Sequence, residues 1–90
     1  MGRTGRLFAH EHFGITPDIM TLAKALGNGL PIGAMLAKDA VASAFIPGSH
    51  ASSFGGTPLV TAAALEVVRI IEEEDIILKS KEIGDYFKKQ

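Results

Sequence analysis

Apolar residues along this chain come in short continuous runs rather than in strict alternation, and each run is bounded by glycine, proline or charge. Ile19-Met20-Thr21-Leu22 follows Thr16-Pro17-Asp18, where proline fixes its own φ and biases the residue before it away from helix. This predicts a buried strand ending near Lys24. Gly27, Asn28, Gly29 and Pro31 break the pattern, and Ile32-Gly33-Ala34-Met35-Leu36-Ala37 predicts a second buried strand. Asp39 is positioned to cap a short helix over Ala40 to Phe45, which Pro47-Gly48 stops.

In the second half the period changes. Thr57-Pro58 combines a good N-cap with a residue tolerated in the first helical turn. The helix it opens, Leu59 to Ile71, is apolar nearly all round and predicts burial on more than one side, with Glu72 to Asp75 as its solvated exit. Ile76 to Lys89 predicts a further helix with Ile76, Ile83 and Phe87 on one face. Near the N-terminus, Leu7 to His12 predicts a short turn or helical segment within a glycine-rich, charged stretch. Strands that do not alternate, set between helices, predict a parallel sheet and an α/β class.

Composition sharpens this picture in one respect. The 90 residues are 47% hydrophobic and only 21% charged, an apolar balance for a chain too short to bury much of its surface. Some faces are therefore expected to be covered by something else. A formal charge of -1 argues against nucleic acid and against an anionic membrane surface as partners. Leu59 to Ile71 is too short to span a bilayer and carries Thr61, Glu66 and Arg69. Met1 to Phe13 lacks the apolar stretch of a secretory signal, and the absence of cysteine excludes a disulfide scaffold or a thiolate site, so a cytoplasmic location is expected.

Lys24 is the first residue with candidate chemistry. Strand ends are where open α/β sheets bind ligands, and a partly desolvated lysine there loses affinity for its proton and can attack an aldehyde carbon to form an imine. A solvent-facing lysine is the commoner role. Ser49, Ser52, Ser53 and Thr57 precede a helix N-terminus, where free amides and the helix dipole favour an anion such as phosphate, although turns and caps select the same residues. His10, Glu11 and His12 do not place two imidazoles on one helix face, which argues against a metal site, and His50 stands alone.

Gly2-Arg3-Thr4-Gly5-Arg6-Leu7-Phe8-Ala9, the stretch from Pro17 through Lys24 to Gly29-Leu30-Pro31-Ile32-Gly33-Ala34, and Pro47 to Leu59 with its Ser52-Ser53-Phe54-Gly55-Gly56 core occur in order. Together they closely resemble the class III aminotransferases, over practically the whole chain. Within the class the wording is closest to the acetylornithine and succinylornithine branch of arginine and lysine biosynthesis.

The resemblance implies a fold type I transferase dependent on pyridoxal 5'-phosphate, with residues 1–57 in the cofactor-binding large domain. Residues 58–90 become linking helices that start the long helix toward the small domain. It implies that Lys24 holds the cofactor covalently and shuttles the reaction's proton. Ser53, preceded by Ser52, stands where the family has a serine-threonine pair whose threonine reaches the cofactor phosphate of the neighbouring subunit in a homodimer; serine keeps the hydroxyl but lacks the methyl. Thr57 replaces the family's asparagine. The implied reaction moves an amino group from an N-acetylornithine-type amine to a 2-oxo acid such as 2-oxoglutarate, and ornithine or 4-aminobutyrate remains an alternative donor.

The family's aspartate for the pyridine nitrogen, its phosphate-cradling glycine loop and its ring-stacking aromatic lie upstream of the Gly2 motif, and an arginine for the substrate carboxylate lies downstream. None has a counterpart in residues 1–90. The isolated chain is therefore expected to be inactive or nearly so, the alternative to an enzyme being a non-catalytic fragment.

Overall fold

The computed structural model describes all 90 residues, Met1–Gln90. Two short strands, β1 (Ile19–Leu22) and β2 (Ala34–Ala37), are followed by a one-turn helix α1 (Asp39–Ala42) and two long helices, α2 (Pro58–Glu73) and α3 (Ile76–Lys89). Ala9–Phe13 and Lys24–Leu26 form 3-10 turns. The first is closed by the Phe8 amide donating to Glu11 Oε1 at 2.8 Å, and Gly14 ends it at φ 63°.

The strands pair antiparallel, in the register Ile19 with Ala37, Met20 with Leu36, Thr21 with Met35 and Leu22 with Ala34. This corrects the parallel arrangement predicted from the apolar runs. Such runs report burial of both faces but carry no information on direction. Direction is set by the connection, and a parallel pair needs a long crossover, usually a helix, to return to the same end. Here one 3-10 turn and the Gly27–Gly29 reversal simply fold β2 back along β1. The far end is closed by the Lys38 amide donating to the Asp18 carbonyl at 3.0 Å.

Three further expectations change. Neither strand is buried within this chain: Ile19, Met35 and Leu36 are exposed and the other apolar positions half-buried. Asp39 is not the cap of α1 but its first residue. Lys38 holds the N-cap position, and no side chain caps it. The helix is also shorter than Ala40 to Phe45, dissolving into turns as Ala44 and Phe45 amides donate back to Val41 and Ala42. In α2, Thr57 does occupy the N-cap with Pro58 behind it, but its hydroxyl makes no capping bond. Its carbonyl instead accepts from the Thr61 amide and hydroxyl, at 3.0 and 2.9 Å.

The core is small and sits where α2 crosses the Lys24–Leu26 turn. Val60, Ala64 and Ile71, on one face of α2, and Leu26 are its four buried apolar residues. The rest of α2 is not enclosed as its composition predicts, since Leu59 and Leu65 are each 71% exposed. Asp75, at φ 53°, turns the chain from α2 into α3, which lies back against α2. The radius of gyration is 15.5 Å, against about 12 Å for a compact chain of this length. The molecule is an open arrangement of elements with several apolar faces uncovered, as the composition led one to expect.

Candidate active site around Lys24

β1 ends at Leu22, and the chain leaves it through Ala23 in an extended conformation and Lys24 at φ 50°. A side chain other than glycine in the left-handed region costs about 1–2 kcal/mol, so something must hold it there. Two hydrogen bonds do: the Lys24 carbonyl accepts from the amides of Gly27 and Asn28, both at 3.2 Å. Two residues on, Leu26 inserts into the α2 core. Gly27 is itself buried, and a Cβ there would collide with the Leu30 carbonyl and the Ile32 side chain, so the reversal after Lys24 requires glycine for space rather than for φ. Asn28, in the same turn, is also left-handed at φ 46°; backbone strain held by its surroundings is enriched at functional positions.

Beside Lys24 lies a cavity of about 220 Å³ whose wall includes Gly2, Arg3, Thr4, Leu7, Ala23 and Ala25. The N-terminal loop is thus brought to the strand end. Gly2 at φ 71° and Gly5 at φ 79° let the loop turn tightly, and the Gly2 amide donates to the Leu7 carbonyl at 2.9 Å. A Cβ on Gly2 would meet no atom within 4 Å, so the glycine leaves room in the cavity. Gly2, Arg3 and Thr4 are wall residues of this cavity that the resemblance alone does not single out as a site. The signal available was the pair of glycines three apart around a cation and a hydroxyl.

Other candidates fall elsewhere. Lys24 is exposed, not desolvated as expected, so any dry environment for its amine has to come from beyond these residues. Ser52 and Ser53 do not line the Lys24 cavity. They lie in an exposed turn before α2, where Ser52 Oγ accepts from the Gly55 amide at 2.9 Å and keeps its proton free to donate elsewhere. Ser49 and His50 are likewise exposed. His10 and His12 diverge: His10 Nδ1 is 2.9 Å from the Ile15 carbonyl, and His12 Nε2 is 3.1 Å from both Thr4 oxygens.

Lys24, an amine at the mouth of a cleft with one guanidinium and one hydroxyl in its wall, is suited to a small carbonyl compound bearing an anionic group. The donor set fits pyridoxal phosphate at its aldehyde end. It offers no carboxylate for a ring nitrogen, because neither Asp nor Glu lines the cavity.

The family model for class III aminotransferases matches residues 1–90. The acetylornithine aminotransferase of Gloeobacter violaceus is 60% identical over 84 residues, 93% of this chain and 21% of that protein. That of Methanocaldococcus jannaschii is 55% identical over 87 residues, 97% of this chain and 22% of that protein. A solved structure of Plasmodium falciparum ornithine delta-aminotransferase superimposes with a TM-score of 0.89 at 39% identity, over 96% of this chain and 22% of that one. The chain thus spans about a fifth of the length of the relatives it matches.

Proposed function

The chain belongs to the class III aminotransferase family, and on that premise we propose that it carries the lysine-bearing part of a pyridoxal-5'-phosphate-dependent transaminase. Its amino donor is an N-acetylornithine-type amine and its acceptor 2-oxoglutarate. The observation that supports this best is the strained, doubly hydrogen-bonded Lys24 at the end of β1, facing the Gly2–Thr4 loop across a cavity.

Lys24 is the residue that holds the cofactor covalently through Nζ. The same nitrogen, once free, would serve as the general base and acid that moves a proton at the substrate carbon, the work of a positioned amine. When bound, pyridoxal phosphate supplies the electron sink for that proton removal. The bonds from Gly27 and Asn28 to the Lys24 carbonyl fix the base from which the long side chain swings. Arg3 and Thr4 form part of the cavity wall on the side of the N-terminal loop.

Ser53, with Ser52 beside it, contributes a hydroxyl to the cofactor phosphate of a second copy, which makes the working unit a homodimer. Their position off the Lys24 cavity and in an exposed turn is compatible with service in trans. Residues 1–57 form part of the cofactor-binding large domain and residues 58–90 its linking helices. The chain alone lacks a carboxylate to keep the ring nitrogen protonated, and it is inactive or nearly so. A second reading, ornithine as donor, is favoured by the likeness to the Plasmodium structure.

The test is absorbance of the chain mixed with pyridoxal phosphate, followed by borohydride reduction and peptide mapping. Selective label on Lys24, lost in Lys24→Ala, supports the reading. Label scattered over Lys79, Lys88 and Lys89 sinks it.

A further inference from the structure

We propose that a second cavity, between the N-terminal loop and α3, binds a phosphate-class oxyanion. It has a volume of about 380 Å³, and no apolar side chain lines it. Lys24 takes no part in its wall. Four nitrogen-bearing side chains meet there, Arg3, His12, Lys81 and Lys88, against one carboxylate, Asp85. That carboxylate is already taken, because Lys81 Nζ lies 2.6 Å from Asp85 Oδ2. Arg3 and Lys88 make no ion pair. Two unmatched positive charges are therefore brought together from opposite ends of a chain whose formal net charge is -1.

Their approach is enforced by the fold rather than by attraction. Ser80 Oγ donates to the Arg3 carbonyl at 3.1 Å, and Gly5 packs on Lys81. Like charges held in one concavity raise its affinity for a counter-ion. One hydroxyl donor completes the wall, that of Thr4, held by His12 Nε2 at 3.1 Å; the Ser80 proton is already given to the Arg3 carbonyl. A guanidinium, an ammonium and a hydroxyl arranged around a space suit a tetrahedral oxyanion with several acceptor oxygens. Gly84 supplies the room: it sits inside the continuous helix α3 at a cost in helix propensity, and a Cβ placed there would meet no atom within 4 Å.

The experiment is equilibrium dialysis of the full chain against radiolabelled inorganic phosphate, with ionic strength held constant by chloride. Saturable binding is expected, unchanged in Lys24→Ala and in Lys79→Gln, which alters an α3 lysine outside the wall. Lys88→Gln should weaken binding about tenfold, the loss of one charge-assisted hydrogen bond, and Gly84→Leu should abolish it by filling the space. Binding that fails to saturate, falls equally in Lys79→Gln or disappears in Lys24→Ala would overturn the proposal. The last of these would assign the phosphate to the Lys24 cavity.

Discussion

Gly5 meets Lys81 so closely that a Cβ at position 5 would stand 2.9 Å from the Lys81 Cβ and 3.5 Å from its Cα. The neighbouring Ser80–Arg3 hydrogen bond spans 77 positions of sequence. These contacts dock the N-terminal loop on α3, and the loop in turn supplies the wall opposite Lys24.

Gly5→Ala is predicted to lower stability by about 2 kcal/mol, combining a left-handed φ that alanine resists with an overlap that backbone-proximal atoms cannot relieve. The urea midpoint measures it. A loss below about 0.5 kcal/mol, the range of an ordinary surface substitution, would show that the loop is not docked.

At position 24 the usual helix-propensity order should invert. Because φ there is 50°, Lys24→Gly is predicted to be more stable than Lys24→Ala by about 1 kcal/mol, while both lose cofactor attachment. Paired denaturation curves decide the point; equal stabilities would mean the backbone at 24 is not held in the left-handed region.

The Lys38–Asp18 ion pair, at 2.7 Å but with both side chains at least half exposed, is predicted to contribute less than about 1 kcal/mol. The backbone bond between the same two residues persists in Asp18→Asn. A thermal shift larger than a few degrees in that variant would contradict this.

Acid should act through α2. The hydrogen bond from Arg69 holds the Glu66 carboxyl below its ordinary range, and Arg69 is raised correspondingly. A depressed carboxyl pKa contributes stability that is present above the unfolded value, about 4.3, and is lost as pH falls through the folded one. The prediction is a helicity loss below pH about 4 that is shallower in Glu66→Gln, followed by circular dichroism; identical acid profiles would remove the Arg69 bond from the account. Both side chains are about half exposed, so the effect is modest and screened by salt.

Uncovered apolar surface predicts self-association. Leu59 and Leu65 are each 71% exposed and Phe54 76%, and patches of this kind seek cover. Sedimentation should show concentration-dependent mass, reduced in the double substitution Leu59→Gln and Leu65→Gln. A monomer with a sharp, concentration-independent melting transition would count against it.

Local pattern carried much of this molecule. The apolar run at Ile19–Leu22, the Thr57-Pro58 helix start and the Ile76–Lys89 helix stand where periodicity and punctuation put them, and the Ile32–Ala37 run holds a strand that starts two residues later, at Ala34, because short-range sterics and capping set such boundaries. Lys24 directly after a strand was legible for the same reason, and the ordered motifs were enough to identify the family. The presence of uncovered apolar surface followed from composition alone.

The tertiary structure decided what depends on residues distant in sequence. It set the antiparallel direction of β1 and β2, which the turn between them fixes and the apolar runs cannot encode. It left Leu59 and Leu65 outside a core that only Leu26, Val60, Ala64 and Ile71 complete. It also brought Gly2, Arg3 and Thr4 to Lys24, and Arg3 to Lys88. Sequence fixes the intrinsic preferences of each segment, whereas which faces meet is settled by packing between segments, and a linear pattern does not record that.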